Sequence, residues 1–266
     1  MGRKPLNEMK TQFLKWKKYK TLLMRLVQRD LKVKYRRSVL GYLWSLLNPL
    51  LMMVVMSVVF SYMFRFDIPN YPIYLITGQI MFTFFSESTN MAMGSIIGNV
   101  SLIKKVYVPK YIFPISRVLS SFVTLLFSLA AVVVVMLATR TPVTPVILLF
   151  PLPLAYVLVF SMGMGLILSV FAVYFRDMTH LYGVMTTAWM YLTPIFYPIE
   201  SIPESVQPFI RLNPLFLFID CFREIVLYGR VPTLQNTAAS CAWCLVVMAV
   251  GIWLFRKRQA NFILHI

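Results

Sequence analysis

Glu87 is the one carboxylate in a long apolar stretch of this chain, and it stands beside Ser86, Ser88, Thr89 and Asn90. A carboxylate inside a membrane span is costly and normally faces a bundle interior or a water-filled cavity. A position near the inner end of a shorter span accounts for it as well. Arg36 and Arg37 close a basic leader and offer guanidinium groups, which pair with phosphate in bidentate geometry. Plain topology signalling accounts for them equally. Aromatic residues cluster at Phe82, Phe84 and Phe85, and again at Trp189, Tyr191, Phe196 and Tyr197. Such rings can stack on a ligand or simply pack and anchor helices.

Other chemistries are absent. Cys241 and Cys244 have a C-x-x-C spacing but sit in an apolar run, where cysteine is small apolar filler. Cys221 stands alone. His180 and His265 lie apart, with no acidic or cysteine cluster beside them, so metal-ligand spacing is lacking. No glycine loop of the phosphate-cradling kind occurs.

The elements that must position these residues are membrane helices. Hydrophobic residues make up 59% of the 266 positions and charged residues 13%, against about 25% charged in ordinary soluble domains. The net charge of +17 does not indicate nucleic acid, because the basic residues flank apolar runs instead of covering a polar domain. They suit anionic lipid or an acidic protein surface. About 20 apolar residues cross a bilayer, and six spans are expected near 40–64, 73–93, 112–139, 147–174, 179–198 and 232–255. The fold class is therefore all-α integral membrane.

Thirteen of the 26 Lys and Arg residues fall in the first 37 positions, and a charge-free run follows from Ser38 to Phe64. With the N-terminus inside, the inner segments hold 21 basic residues and the outer ones five. The positive-inside rule then places both termini in the cytoplasm. No cleavable signal peptide is expected, since the leader is long and the first apolar run is a full span.

Three segments outside the spans are informative. Residues 1–37 form a basic cytoplasmic unit, and Trp16, Tyr19, Leu23, Leu26, Val27 and Leu31 recur within it at helical steps among the lysines and arginines. That pattern predicts an interfacial amphipathic helix. Residues 99–110 mix apolar and basic residues and end near Pro109, which suits a short helix seated in a partner's groove. A solvated basic loop is the plainer alternative. Residues 199–231 carry two apolar pieces, 206–212 and 215–228, that are too short to span. Two short re-entrant helices in the outer leaflet fit them, against an ordinary folded loop, and such structure survives only when buried in protein or lining a cavity.

The chain resembles the permease subunit of ABC-2 type exporters of lipid-linked polysaccharides, the O-antigen and teichoic acid exporters. Three blocks carry the likeness: Tyr35 through Pro49, Asn99 through Pro114, and Thr193-Pro194-Ile195-Phe196-Tyr197-Pro198 through Asn213-Pro214. Val173-Tyr174-Phe175-Arg176-Asp177 is similar to the family's turn after span four. The likeness covers nearly the whole chain in order and spacing, with residues 38–266 as the transmembrane domain.

The resemblance implies a homodimer of six-span subunits in the bacterial cytoplasmic membrane. It would be paired with two copies of an ABC ATP-binding subunit that binds ATP and Mg, this chain holding no cofactor or metal. The cargo would be a polysaccharide on a polyprenyl pyrophosphate. Residues 95–109 would be the coupling helix, with Leu102, Ile103, Lys104, Lys105, Val106, Tyr107, Arg176 and Asp177 as coupling residues. Segment 199–231 would supply the outer gate helices. Arg36 and Arg37 would meet the pyrophosphate. Phe82, Phe85, Glu87, Trp189, Tyr191, Phe196 and Tyr197 would line the channel. The alternatives are an ABC-2 small-molecule or drug exporter, and a membrane glycosyl- or acyltransferase, for which no interfacial acid, base or metal cluster is found.

Overall fold

The computed structural model describes residues 4–36, 38–63, 68–106 and 108–265, with the side chains of 4–18, 35, 61–63, 263 and 265 left undescribed. Arg37 and Tyr107 lie outside the described residues, as does the side chain of Trp16. All regular structure in the described residues is helical: α1 (Lys4–Tyr35), α2 (Trp44–Met63), α3 (Tyr71–Met93), α4 (Val100–Lys105), α5 (Ile112–Ala138), α6 (Pro151–Tyr174), α7 (Met178–Leu192), α8 (Gln207–Arg211), α9 (Pro214–Val226), α10 (Leu234–Arg258) and α11 (Phe262–His265), with short 3₁₀ turns between some of them.

Among the described residues, four helical stretches are long and apolar enough to cross a membrane: Gly41–Phe60, Ile112–Ala138, Pro145–Tyr174 and Leu234–Asn261. The other two expected spans differ for physical reasons. α3 runs for 23 residues, about 34 Å at the usual helical rise, but carries Gln79, Ser86, Glu87 and Asn90. It is the central helix, packed by α2, α5, α6 and α9, so it meets protein where an outer helix would meet lipid. α7 covers 15 residues, about 22 Å, and stops short of the expected 198. Pro194 is the cause: it lacks an N–H and pushes the preceding residue out of the helical region. Thr193 accordingly sits at φ −101° and ψ 128°.

The main core joins α3, α5, α6 and α9 around Ile76, Phe85, Val118, Val157, Phe160, Phe218 and Phe222. A second core gathers one end of the bundle. Leu26 of α1, Ile96, Ile112 and Phe113 at the start of α5, Val170 and Val173 of α6, Phe255 of α10 and Phe262 of α11 pack there together. The described ends of the chain thus share one end of the molecule. α1 turns its expected stripe inward: Leu26 is buried, Tyr19, Leu23, Val27 and Leu31 are half-buried, and Arg25, Arg29 and Lys32 are exposed.

Two devices hold the long helices. Pro49 lies inside α2 and cannot bond the Ser45 carbonyl one turn back. Ser128 of α5 donates to that oxygen instead, at 2.8 Å. α6 and α10 cross with backbones in contact: a Cβ on Gly163 would stand 2.8 Å from the Val247 oxygen, and one on Gly251 would stand 2.6 Å from the Gly163 oxygen. Close approach through small residues is how membrane helices gain packing energy. Gly251→Leu should therefore force the pair apart and cost about 1–3 kcal/mol, read as a lower thermal midpoint in detergent. An unchanged midpoint would refute the crossing.

Candidate functional site

The candidate residues divide between the two ends of the bundle and a cleft between them. At the end away from α1, the chain from Thr193 to Pro198 leaves helix, yet residues 193–196 are buried. In a bilayer each backbone carbonyl freed in this way needs a partner. Arg223 of α9 bonds two of them, at Pro194 and Ile195. Its Nη1 donates to the Pro194 oxygen at 2.8 Å. Its Nη2 donates to the oxygens of Tyr74 at 3.0 Å and Ile195 at 3.1 Å. The guanidinium lies 3.4 Å from the centroid of the Tyr74 ring, an attraction worth about 2 kcal/mol when desolvated. Gly78 makes the space, since a Cβ there would stand 2.8 Å from Nη2.

Tyrosines complete the set. Tyr71 donates to the Phe196 oxygen at 2.7 Å, and Tyr74 to the Tyr197 oxygen at 2.8 Å. Asn213 ties the break to the next helix. Its Oδ1 accepts from the Leu215 amide, capping α9, and from the Trp189 indole at 2.9 Å, while its Nδ2 donates to Thr193 Oγ1 at 2.9 Å. Arg223 also lines a small cavity of about 150 Å³ with Asp220, Glu200 and Tyr228. Within 199–231 the chain forms two short helices, α8 and α9, and α9 is buried along nearly its whole length.

At the opposite end, a buried carboxylate joins three elements. Asp30 of α1 has a side chain 3% exposed and receives Arg117 of α5 at 3.1 Å and its neighbour Arg29 at 3.1 Å. Arg29 also donates to Asn99 Oδ1 at 3.2 Å, just before α4. Asn99 in turn donates to the Ser95 oxygen at 2.8 Å. Lys110 donates to the Gln259 oxygen at 2.6 Å, and burial pushes its ammonium below the usual lysine range. The helix α4 covers six residues of the expected 95–109, preceded by a 3₁₀ turn at Ile97–Asn99.

The coupling candidates separate accordingly. Leu102 and Ile103 are half-buried against the second core, while Lys104, Lys105 and Val106 are exposed. Val106 lies past the helix end in extended conformation, so it does not continue the helix that carries Ile103. Arg176 and Asp177 are exposed in the turn after α6, at this same end.

Of the channel candidates, Phe82 and Phe85 are core residues, 5% and 0% exposed. Phe85 packs edge-on to Trp189 at 5.2 Å and tilted against Phe160 at 5.8 Å. A ring enclosed by its own chain presents no face to a passing ligand. Phe196 is buried and stacked on Phe60 at 5.4 Å. Trp189 and Tyr197 are half-buried, and Tyr191 is exposed on the open face of α7. Arg36 is exposed where α1 gives way to α2.

Glu87 opens onto a cleft of about 240 Å³ among α2, α3 and α5, and pairs with Lys34 at the end of α1. Asn48, Gln79 and Thr83 line the cleft with it. Sequence reasoning passed over these three, although Gln79, Thr83 and Glu87 follow at four-residue steps. It also passed over Asp30, whose signal is an acid one helical turn beyond Leu26 in an otherwise basic segment.

Among the described residues the chain is a helical bundle with four stretches long and apolar enough to cross a membrane, the build of an integral membrane protein. The chain belongs to the ABC-2 type transporter family, which it matches over residues 21–227. It is 32% identical over 246 residues to an O-antigen export system permease protein of Myxococcus xanthus, covering 92% of this chain and 95% of that one. A Klebsiella pneumoniae O-antigen export system permease protein is 32% identical over 244 residues, covering 91% and 93%. The polysialic acid transport protein KpsM of Escherichia coli is 25% identical over 235 residues, covering 87% and 91%.

Arg223→Met should lower stability by about 3 kcal/mol, because it removes three buried hydrogen bonds and leaves the Ile195 oxygen without its donor. The thermal midpoint in detergent checks this, and a change within error would remove Arg223 from its assigned role. Asp30→Leu should cost about 2 kcal/mol, less than a fully buried pair because Arg117 is part-exposed. Asp30→Leu with Arg117→Met should recover part of that loss. Strictly additive losses would show that the pair is not coupled.

Proposed function

We propose that this chain is the membrane subunit of an ATP-driven exporter that moves a polyprenyl-pyrophosphate-linked polysaccharide of the O-antigen or capsular kind out of the cytoplasm. One observation carries the reading: likeness to O-antigen export permeases runs nearly end to end, at 32% identity. The sequence has no phosphate loop, so hydrolysis falls to a separate ABC ATP-binding subunit. Two copies of each subunit form the transporter, with the polymer passing between the permeases.

In this reading α2, α3, α5, α6, α7 with the 193–198 break, and α10 are the six membrane crossings. The end carrying α1, α4, α11 and the Arg176–Asp177 turn faces the cytoplasm. Charge supports that orientation, since 21 of the 26 basic residues belong to that side. α4 docks on the ATPase. Leu102 and Ile103 seat it on the permease, and Lys104, Lys105 and Val106 meet the partner. Long cations at such a rim steer association more than they add affinity. Arg36, and Arg37 beyond the described residues, receive the pyrophosphate as the lipid enters from the inner leaflet. α8 and α9 form the outer gate, held by Arg223. On the channel side, Tyr191 is the aromatic best exposed to the polymer.

Depletion of the chain in its native cell tests the reading. Lipid-linked polymer should accumulate inside and disappear from the surface, and re-expression should restore it. Normal surface polysaccharide after depletion, or loss of a small-molecule efflux activity instead, would overturn the assignment.

A further inference from the structure

The cleft among α2, α3 and α5 is lined by polar as well as core side chains. Gln79, Thr83 and Glu87 succeed one another on a single face of α3, about 6 Å apart. Gln79 and Thr83 occupy the middle turns of the central helix, where a polar side chain is most costly in a membrane, and Glu87 follows one turn nearer the α1 end. Asn48 lines the cleft from α2, and Thr124 and Ser128 line it from α5. The Gln79 Oε1 is buried without a hydrogen-bond partner. Native structures rarely leave such an acceptor unpaired, and each exception calls for an explanation.

The lining defines a ligand chemistry. Thr124 and Ser128 donate their protons to backbone carbonyls, which leaves their oxygens as acceptors. Amide, hydroxyl and carboxylate groups thus form a ladder of acceptors, with donors from the Asn48 and Gln79 amides. Ile80, Phe84 and Leu125 supply an apolar wall. Among the described residues no Lys or Arg lines the cleft, and the Glu87 charge is met by Lys34. A phosphate or an acidic sugar would find a carboxylate there and no lining cation to pair with, which is unfavourable away from water. A neutral sugar ring suits it, with hydroxyl donors at its edge and C–H groups on its face.

We infer that this cleft is a binding subsite for an uncharged, hydroxyl-rich sugar unit of the exported chain. The inference rests on the polysaccharide reading above and adds the neutral character of the cargo and where it is held.

The test uses the full chain in cells carrying the complete export system. A photoreactive benzoyl-phenylalanine replaces Thr83, or Asn48 on the facing helix, or Leu245 on the exposed side of α10 as a control. After irradiation the permease is isolated and probed for covalently attached glycan. Glycan should attach at Thr83 and Asn48 and not at Leu245, and composition analysis should find neutral sugars. The Asn48 variant decides the matter if the Thr83 variant does not accumulate. Gln79→Leu with Thr83→Val should slow export roughly tenfold through two lost hydrogen bonds, with the protein level unchanged. Capture of phospholipid alone at both cleft positions, or of an acidic glycan, would overturn the inference. If depletion still makes lipid-linked polymer accumulate while the cleft captures no glycan, this inference falls alone. If depletion leaves export untouched, the polysaccharide reading falls with it.

Discussion

Backbone polar groups inside a bilayer must be satisfied by the protein, and this requirement organises the structure around Arg223. The chain leaves helix at Thr193 because of Pro194, deep enough that residues 193–196 are buried. One guanidinium then accepts the task that water performs in a soluble loop. It reaches the oxygens of Pro194, Ile195 and Tyr74, and its position on α9 fixes that short helix against α3. Tyr71, Tyr74 and Asn213 extend the same solution to the neighbouring groups. Pro49 poses the problem in miniature, and Ser128 answers it from another helix. Each break in a helix is thereby converted into a bond between elements.

The opposite end is held by a different chemistry. There the contacts are ion pairs and side-chain hydrogen bonds at partial exposure: Asp30 with Arg117, Arg29 with Asn99, Lys34 with Glu87, Lys110 with the Gln259 oxygen. Such contacts weaken with salt and reorganise at modest cost, unlike a buried cation clamping carbonyls. Three of these contacts converge on α1, which therefore bonds directly to α3, to the segment before α4 and to α5. A displacement of α4 would reach α1 through Arg29 and Asn99, and α5 through Asp30 and Arg117.

Much of this was legible in the sequence, and the exceptions have a common cause. Charge-free runs located α2, α5, α6 and α10 well, because their outer faces are apolar all along. The stripe in residues 19–31 also lies in a helix as its spacing indicated, and the two apolar pieces in 199–231 contain α8 and α9. What sequence could not give was the direction in which a side chain points. Phe82 and Phe85 looked like a surface for a passing ligand and are buried, Phe85 against Phe160 and Trp189 and Phe82 against Phe85. Arg223 counted as one outer charge among five, although it is nearly inaccessible. α7 looked like a full span because residues 179–198 are uncharged, and only the local geometry at Pro194 ends it early. Gln79, Thr83 and Asn48 carry no charge and so gave no signal to a search built on charge and apolar length.

The balance between apolar and polar exposure has a different meaning here than in a soluble protein. The open face of α7, with Val184 at 72% and Tyr191 at 60% exposure, would mark a partner site on a protein in water. In a bilayer, lipid covers such a face as well as another helix would, so the face by itself specifies no occupant. A polar surface reverses the argument, because lipid cannot satisfy it. The amides and hydroxyls of Gln79 and Thr83 sit toward the middle of the central helix, where alanine or leucine would serve packing better. The unpartnered Gln79 oxygen in that cleft has to be offset by water or a ligand that makes its hydrogen bond. In this chain, therefore, the small polar cleft constrains function more tightly than the much larger area of exposed apolar helix.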